Sequence, residues 1–155
     1  MKRRSGCWLA LAMAWAATGV SAADVAALVQ GDTAFALELH AQLRQSEGNL
    51  FFSPYSISSA LAMTYAGARA NTAAEMETAL HFGLGQAGTP AAFAELQAKL
   101  AAAEKTGGIQ LAIANSLWPQ KGYPFLPDYL ETMKAAYDST IAPRDFQGDA
   151  EGARQ

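Results

Sequence analysis

Cysteine is almost missing from this chain: Cys7 is the only one in 155 residues. A lone thiol excludes an internal disulfide and a multi-cysteine metal cluster. Histidine is nearly as scarce, with His40 and His81 alone. No His-Glu-x-x-His spacing accompanies them, so metal-assisted and nucleophilic catalysis find no support. Both read as solvated or structural, His81 near the negative end of a helix. Charged residues make up only 16% of the chain and are acidic on balance. Without a basic cluster, nucleic acid and other polyanions are poor partners. Lys99 and Lys105 lie on or near one helix, but Glu95 and Glu104 dilute them. Glu75 and Glu77 resemble paired acids only superficially, because cap and dipole roles at a helix start explain them. No enzyme class, cofactor or metal site emerges.

What is present begins with Met1-Lys-Arg-Arg, a positive start, followed by an uncharged apolar stretch from Cys7 to Val20 and the small residues Ser21-Ala22-Ala23. This pattern predicts a secretory signal peptide over residues 1–23, cut after Ala22 or Ala23. About 14 apolar residues are too few to cross a bilayer, which takes roughly 20. The expected product is secreted or periplasmic, with no membrane attachment once the leader is removed. Cys7, Lys2, Arg3 and Arg4 leave with it, so eight basic residues face fourteen acidic ones, a formal charge of −6. The remaining residues 24–155 have the length of one domain.

Within that stretch, helical periodicity dominates. Asp24 is placed to cap a long helix to about Glu47, with Phe35, Leu39 and Leu43 on one face and a possible break at Gly31-Asp32. Thr72-Ala73-Ala74-Glu75 has the spacing of a capping box, and Thr89-Pro90 that of a helix start with proline at its first position. Gly107-Gly108 stops this helix. Ile109, Leu111 and Ile113 then alternate with small or polar residues, which predicts a strand extending towards Trp118. A last helix from Pro127 carries Leu126, Leu130, Met133 and Tyr137 on its stripe. A short strand follows at Ser139–Ala142, and the residues from Asp149 read as a helix start. Trp118 and Tyr123 flank a loop, and packing at the sheet end explains them better than a contact patch.

The most informative run is Asn49-Leu-Phe-Phe-Ser-Pro-Tyr-Ser-Ile. A short apolar strand, Leu50–Phe52, leads directly into a helix. Ser53 suits the N-cap and Pro54 the first helical position. Ser56 falls inside the first turn with a hydroxyl that needs a partner. Together with Ala66-Gly67-Ala68, Thr72, Glu75 and Ala114-Asn115-Ser116-Leu117-Trp118, this run resembles the N-terminal part of serpins. The likeness covers essentially all of residues 24–155 and identifies the chain as a secreted, bacterial-type member cut short before the reactive-centre loop.

The resemblance implies an α+β fold: the N-terminal portion of a serpin, mostly helices with a few strands of an incomplete antiparallel sheet. Serpins are metastable inhibitors of serine proteases and sometimes of cysteine proteases. The protease cleaves an exposed loop, which then inserts into the main sheet as a new strand. Ser53 and Ser56 match the shutter beneath that sheet, with Pro54 fixing the geometry and Asn49 bonding the connecting backbone. None of the four is catalytic, and the reactive bond would lie beyond Gln155. The expectation is therefore a chain that does not inhibit alone and lacks the C-terminal portion of the fold. The alternative is a helical binding or assembly module, or half of a split inhibitor completed by another chain.

Overall fold

The computed structural model describes residues 20–154 except 109 and 111. Six helices and two short strands follow in the order α1 (Ala22–Leu43), α2 (Pro54–Gly67), α3 (Ala70–Ala79), α4 (Gly85–Gly107), β1 (Ser116–Leu117), α5 (Pro127–Tyr137), β2 (Thr140–Ile141) and α6 (Ala150–Arg154). Residues 1–19 of the expected leader lie outside the described residues, whereas its expected cut falls within the first turn of α1.

Helix α1 starts earlier than expected, because Ser21 rather than Asp24 is its N-cap. The Ser21 hydroxyl accepts the Asp24 N–H, and the Asp24 carboxylate accepts the Ser21 N–H in return. The helix also runs unbroken through Gly31-Asp32. Gly31 is a point of close approach: the His81 carbonyl lies where a Cβ would stand. Helix α2 begins as predicted, with Ser53 as N-cap and Pro54 at its first turn. Gly67 near its end is needed for proximity, since a Cβ there would lie 3.2 Å from the Tyr129 ring. Two terminal carbonyls, of Tyr65 and Ala68, accept from Gln86 Nε2 at 2.6 and 2.7 Å, which docks α4 against the end of α2.

Two other predicted starts are displaced. Helix α3 opens at Ala70 after Arg69, so Thr72 is already inside it and caps nothing. Helix α4 opens at Gly85, which places Thr89 and Pro90 in its interior. The Thr89 hydroxyl donates to the Gly85 carbonyl one turn back, at 2.7 Å. Gly108, at φ 65°, ends the helix in the left-handed conformation that glycine adopts without strain.

The strands are shorter than the alternation suggested. Among the described residues of the expected 109–118 strand, Ser116–Leu117 alone form a strand, which pairs in parallel with β2: Ser116 opposite Thr140, Leu117 opposite Ile141. The expected antiparallel sheet is not formed among the described residues. The reason is the connection. Helix α5 is a crossover that returns the chain to the same end of the pair, and such a return yields parallel strands. Leu50–Phe52 is in neither helix nor strand, with Phe51 99% exposed. A strand is defined by its neighbour's hydrogen bonds, and no described segment supplies them.

The core forms where α1, α2, α4 and α5 meet. Leu28 and Phe35 come from α1, Ala62, Met63 and Tyr65 from α2, Ala92 and Phe93 from α4, and Met133, Ala136 and Tyr137 from α5. Phe93 is central. Its ring lies 6.1 Å from Tyr55, 6.0 Å from Phe82 and 5.6 Å from Tyr137, centroid to centroid.

Candidate functional site

The start of α2 is the candidate site. Ser53 leaves extended backbone at φ −109°, ψ 103°, which aims its side chain at the helix end. Its Oγ accepts the Ser56 N–H at 3.3 Å and the Ser56 hydroxyl at 2.9 Å. Both serines are exposed. Pro54 is half-buried at the first helical position. Asn49 is also exposed and makes no side-chain hydrogen bond among the described residues. The fold thus brings Ser53, Pro54 and Ser56 together and leaves Asn49 apart.

Two cavities flank this helix start. One of about 670 Å³ lies among Asp32 and Thr33 of α1, Ser53–Ser56, Leu96 and Leu100 of α4, and Ala112 and Ile113. The other, about 430 Å³, lies between Ser56, Ser59 and Met63 on α2 and the segment Ala112–Ser116. The approach to β1 therefore passes over the helix start with open space on both sides.

The deeper polar groups were not singled out from the sequence. Ser58 and Ser59, not Ser53 and Ser56, are the fully buried serines of α2. Asn115 Nδ2 reaches Ser59 Oγ at 3.4 Å and the Tyr137 carbonyl at 3.2 Å, tying the chain before β1 to α2 and α5. Asp32 Oδ1, Tyr55 Oη and Ser58 Oγ are buried without a hydrogen-bond partner. Burial raises the pKa of Asp32, and the nearby Ser58 hydroxyl offsets part of that rise. Burial likewise raises Tyr55, with Gln97 pulling it down and the Asp32 charge adding to the rise. The available signal was the Ser58-Ser59 pair, which falls one turn before Ala62 and Met63 on the face of α2 that is buried, together with the asparagine of Ala-Asn-Ser-Leu-Trp.

The site holds hydroxyls, one amide and one carboxyl, with no base beside a nucleophile. Among the described residues no group of three or more His, Cys, Asp or Glu side chains could hold a metal ion. Among them, too, no helix is long and apolar enough to cross a membrane. His81, whose side chain is 32% exposed, places Nε2 3.1 Å from a Glu38 carboxylate oxygen of α1, far from α2's start in sequence. What the geometry offers is a hydrogen-bonded junction between helix and sheet.

Residues 30–155 match the protein family described as Serpin (serine protease inhibitor). Leukocyte elastase inhibitor A of Mus musculus is 40% identical over 130 residues, which are 83% of this chain and 34% of that protein. An uncharacterised serpin-like protein of Thermococcus kodakarensis is 38% identical over 129 residues, 83% of this chain and 30% of the relative. Among solved structures, ovalbumin from emu (Dromaius novaehollandiae) aligns with a TM-score of 0.70 and 27% identity, over 83% of this chain and 36% of that one. Reaction loop cleaved lamprey angiotensinogen aligns with a TM-score of 0.65 and 27% identity, over 84% and 37%. The chain spans about a third of the length of these relatives. With this match reaching from α1 to the last residue, on a helical array shared with solved relatives, the chain belongs to the serpin family.

Proposed function

We propose that this chain is the N-terminal portion of a secreted, bacterial-type serpin, an inhibitor rather than an enzyme. In its full-length form it would trap a serine (or cysteine) protease by reactive-loop cleavage and insertion. The observation that carries the reading is the continuous family match over residues 30–155, which corresponds to about a third of the relatives' length. The positive start and apolar run of residues 1–20 support export to the periplasm or beyond the cell. In the complete fold the β1–β2 pair would be the beginning of a larger, mainly antiparallel sheet. The Ser53–Ser56 pair would then lie beneath it and exchange partners as the sheet opens. Here these serines bond each other and face solvent, as expected where the covering strands are not among these residues.

The 155-residue chain alone is expected to be non-inhibitory. Incubation with trypsin-like, chymotrypsin-like and subtilisin-like proteases should give no covalent, SDS-resistant adduct. Such an adduct would refute the requirement for a loop outside these residues. A second reading, a helical assembly module or one half of a split inhibitor, is favoured by one observation. Leu50 and Phe51 are exposed and lie outside any helix or strand, which suits a segment that accepts a strand from another polypeptide.

A further inference from the structure

The far end of α2 meets the loop before α5 around a cavity of about 320 Å³, walled by the rings of Tyr123, Phe125 and Tyr129 and by Leu126. Arg69 is the one charged side chain lining it among the described residues. The rings form a ladder. Tyr123 and Phe125 stand 5.0 Å apart at 60°, and Phe125 and Tyr129 stand 6.1 Å apart at 21°, nearly parallel. This wall is held before anything binds. Tyr129 donates its hydroxyl to the Met63 carbonyl at 3.2 Å, and its ring lies against Gly67, which has no side chain to push it away. The loop closes on itself through the Phe125 N–H, which donates to the Tyr123 carbonyl at 2.9 Å.

Arg69 is fixed in a similar way. Its Nη1 donates to the Ala66 and Ala68 carbonyls at 3.1 and 2.6 Å, at the C-terminal end of α2. A guanidinium offers further donors on Nη2 and Nε, and these have no partner among the described residues. A planar fork already held in place loses little entropy when it takes up a carboxylate. Tyr123 and Leu126 at the rim are 64% and 65% exposed, surface that packing within the chain does not use. An aromatic-walled pocket with one fixed cation is complementary to a flat apolar body that carries one negative charge. Its volume is near the lower end of the range for ligand sites, about 300–1,000 Å³, which suits a body of about two fused rings. The opposing charge is Asp128, which lines the adjoining cavity together with Arg69, Leu126 and Tyr129.

We propose that this pocket binds a small aromatic carboxylate, with its ring against the Phe125–Tyr129 wall and its carboxylate on the uncommitted donors of Arg69. None of these residues belongs to the junction at the start of α2, so the proposal stands apart from the inhibitory reading. The test is calorimetric titration of β-naphthoate into the purified full chain, with β-naphthylmethanol as the neutral counterpart. Naphthoate should bind saturably, and the alcohol about tenfold or more weakly, since it forfeits the charge-assisted bonds to Arg69. Arg69→Gln should bring naphthoate down to the level of the alcohol and leave the alcohol unchanged. Asp128→Asn should tighten naphthoate about twofold or more by removing a like charge. Arg69→Gln also takes a cap from α2, so Tyr123→Ala is a second variant that spares the helix end. Tyr123 is exposed and outside the core, and its loss should weaken both probes about threefold or more. Equal affinity for the two probes, naphthoate binding unchanged in Arg69→Gln, or no saturation at millimolar naphthoate would overturn the proposal and leave Arg69 as a cap of α2 alone.

Discussion

Replacing Phe93 by alanine tests whether the helices pack as a real core. The ring is fully buried and meets aromatic neighbours from three directions: Tyr55 of α2, Phe82 of the α3–α4 corner and Tyr137 of α5. A buried Phe→Ala change costs about 3–5 kcal/mol from lost transfer energy and the cavity left behind. Each aromatic pair adds about 0.5–1.5 kcal/mol beyond area burial, so three lost pairs put Phe93→Ala near the upper end of that range. Domains are stabilised by about 5–15 kcal/mol, and a loss of this size would remove a third or more. Urea unfolding followed by far-ultraviolet circular dichroism is the assay. With a slope of about 2 kcal/mol per molar, the midpoint should fall by about 2 M with the slope unchanged. Phe51→Ala is the control, because Phe51 is almost wholly exposed. Its effect should stay within about 0.5 kcal/mol. Equal shifts for the two variants, or a shift below about 0.5 M for Phe93→Ala, would refute the packing described.

Asp32→Asn should stabilise the chain at neutral pH. Burial raises the native pKa above the unfolded value, so the native state holds the proton more tightly and stability falls as pH rises above about 4. The gain should be present in urea titrations at pH 7 and shrink below pH 4; a loss at pH 7 would point to a charge-dependent partner for Asp32. Ser53→Ala should cost about 0.5–2 kcal/mol by removing the α2 cap, while Thr72→Ala should be close to neutral because α3 starts before it. Chemical denaturation of the two variants side by side would decide between these starts, and equal costs would contradict them. Gly31→Ala should cost about 1–3 kcal/mol, since a methyl group would meet the His81 carbonyl. A melting point unchanged from the parent would mean that α1 does not approach His81 so closely.

What could be read in advance was what short-range chemistry fixes. Ser53-Pro54 determines the start of α2 with no help from distant residues. The stripe of Met133 and Tyr137 on α5 likewise buries itself, although Leu126 at its head is 65% exposed. The failures share a cause in tertiary context. Gly31 has the local signature of a break, yet its missing side chain serves contact with the His81 backbone. Thr72 and Thr89 have the spacing of caps, but Arg69 and Leu84 stand at the two helix boundaries instead. The expected strand at 109–118 rested on alternation and that at 50–52 on an apolar run, but pairing depends on neighbours that neither pattern reveals. At the candidate site, Ser53 and Ser56 were legible from motif alone. Ser58, Ser59 and Asn115 were not, because their importance comes from the convergence of α2, α5 and the approach to β1.

That convergence has a mechanical corollary. One amide, on Asn115, grips a hydroxyl of α2 and the last carbonyl of α5 together, immediately ahead of the first paired strand. A shift of the chain at this point would cost both hydrogen bonds, each worth about 0.5–1.5 kcal/mol, so the asparagine ties the register of β1 to the packing of two helices.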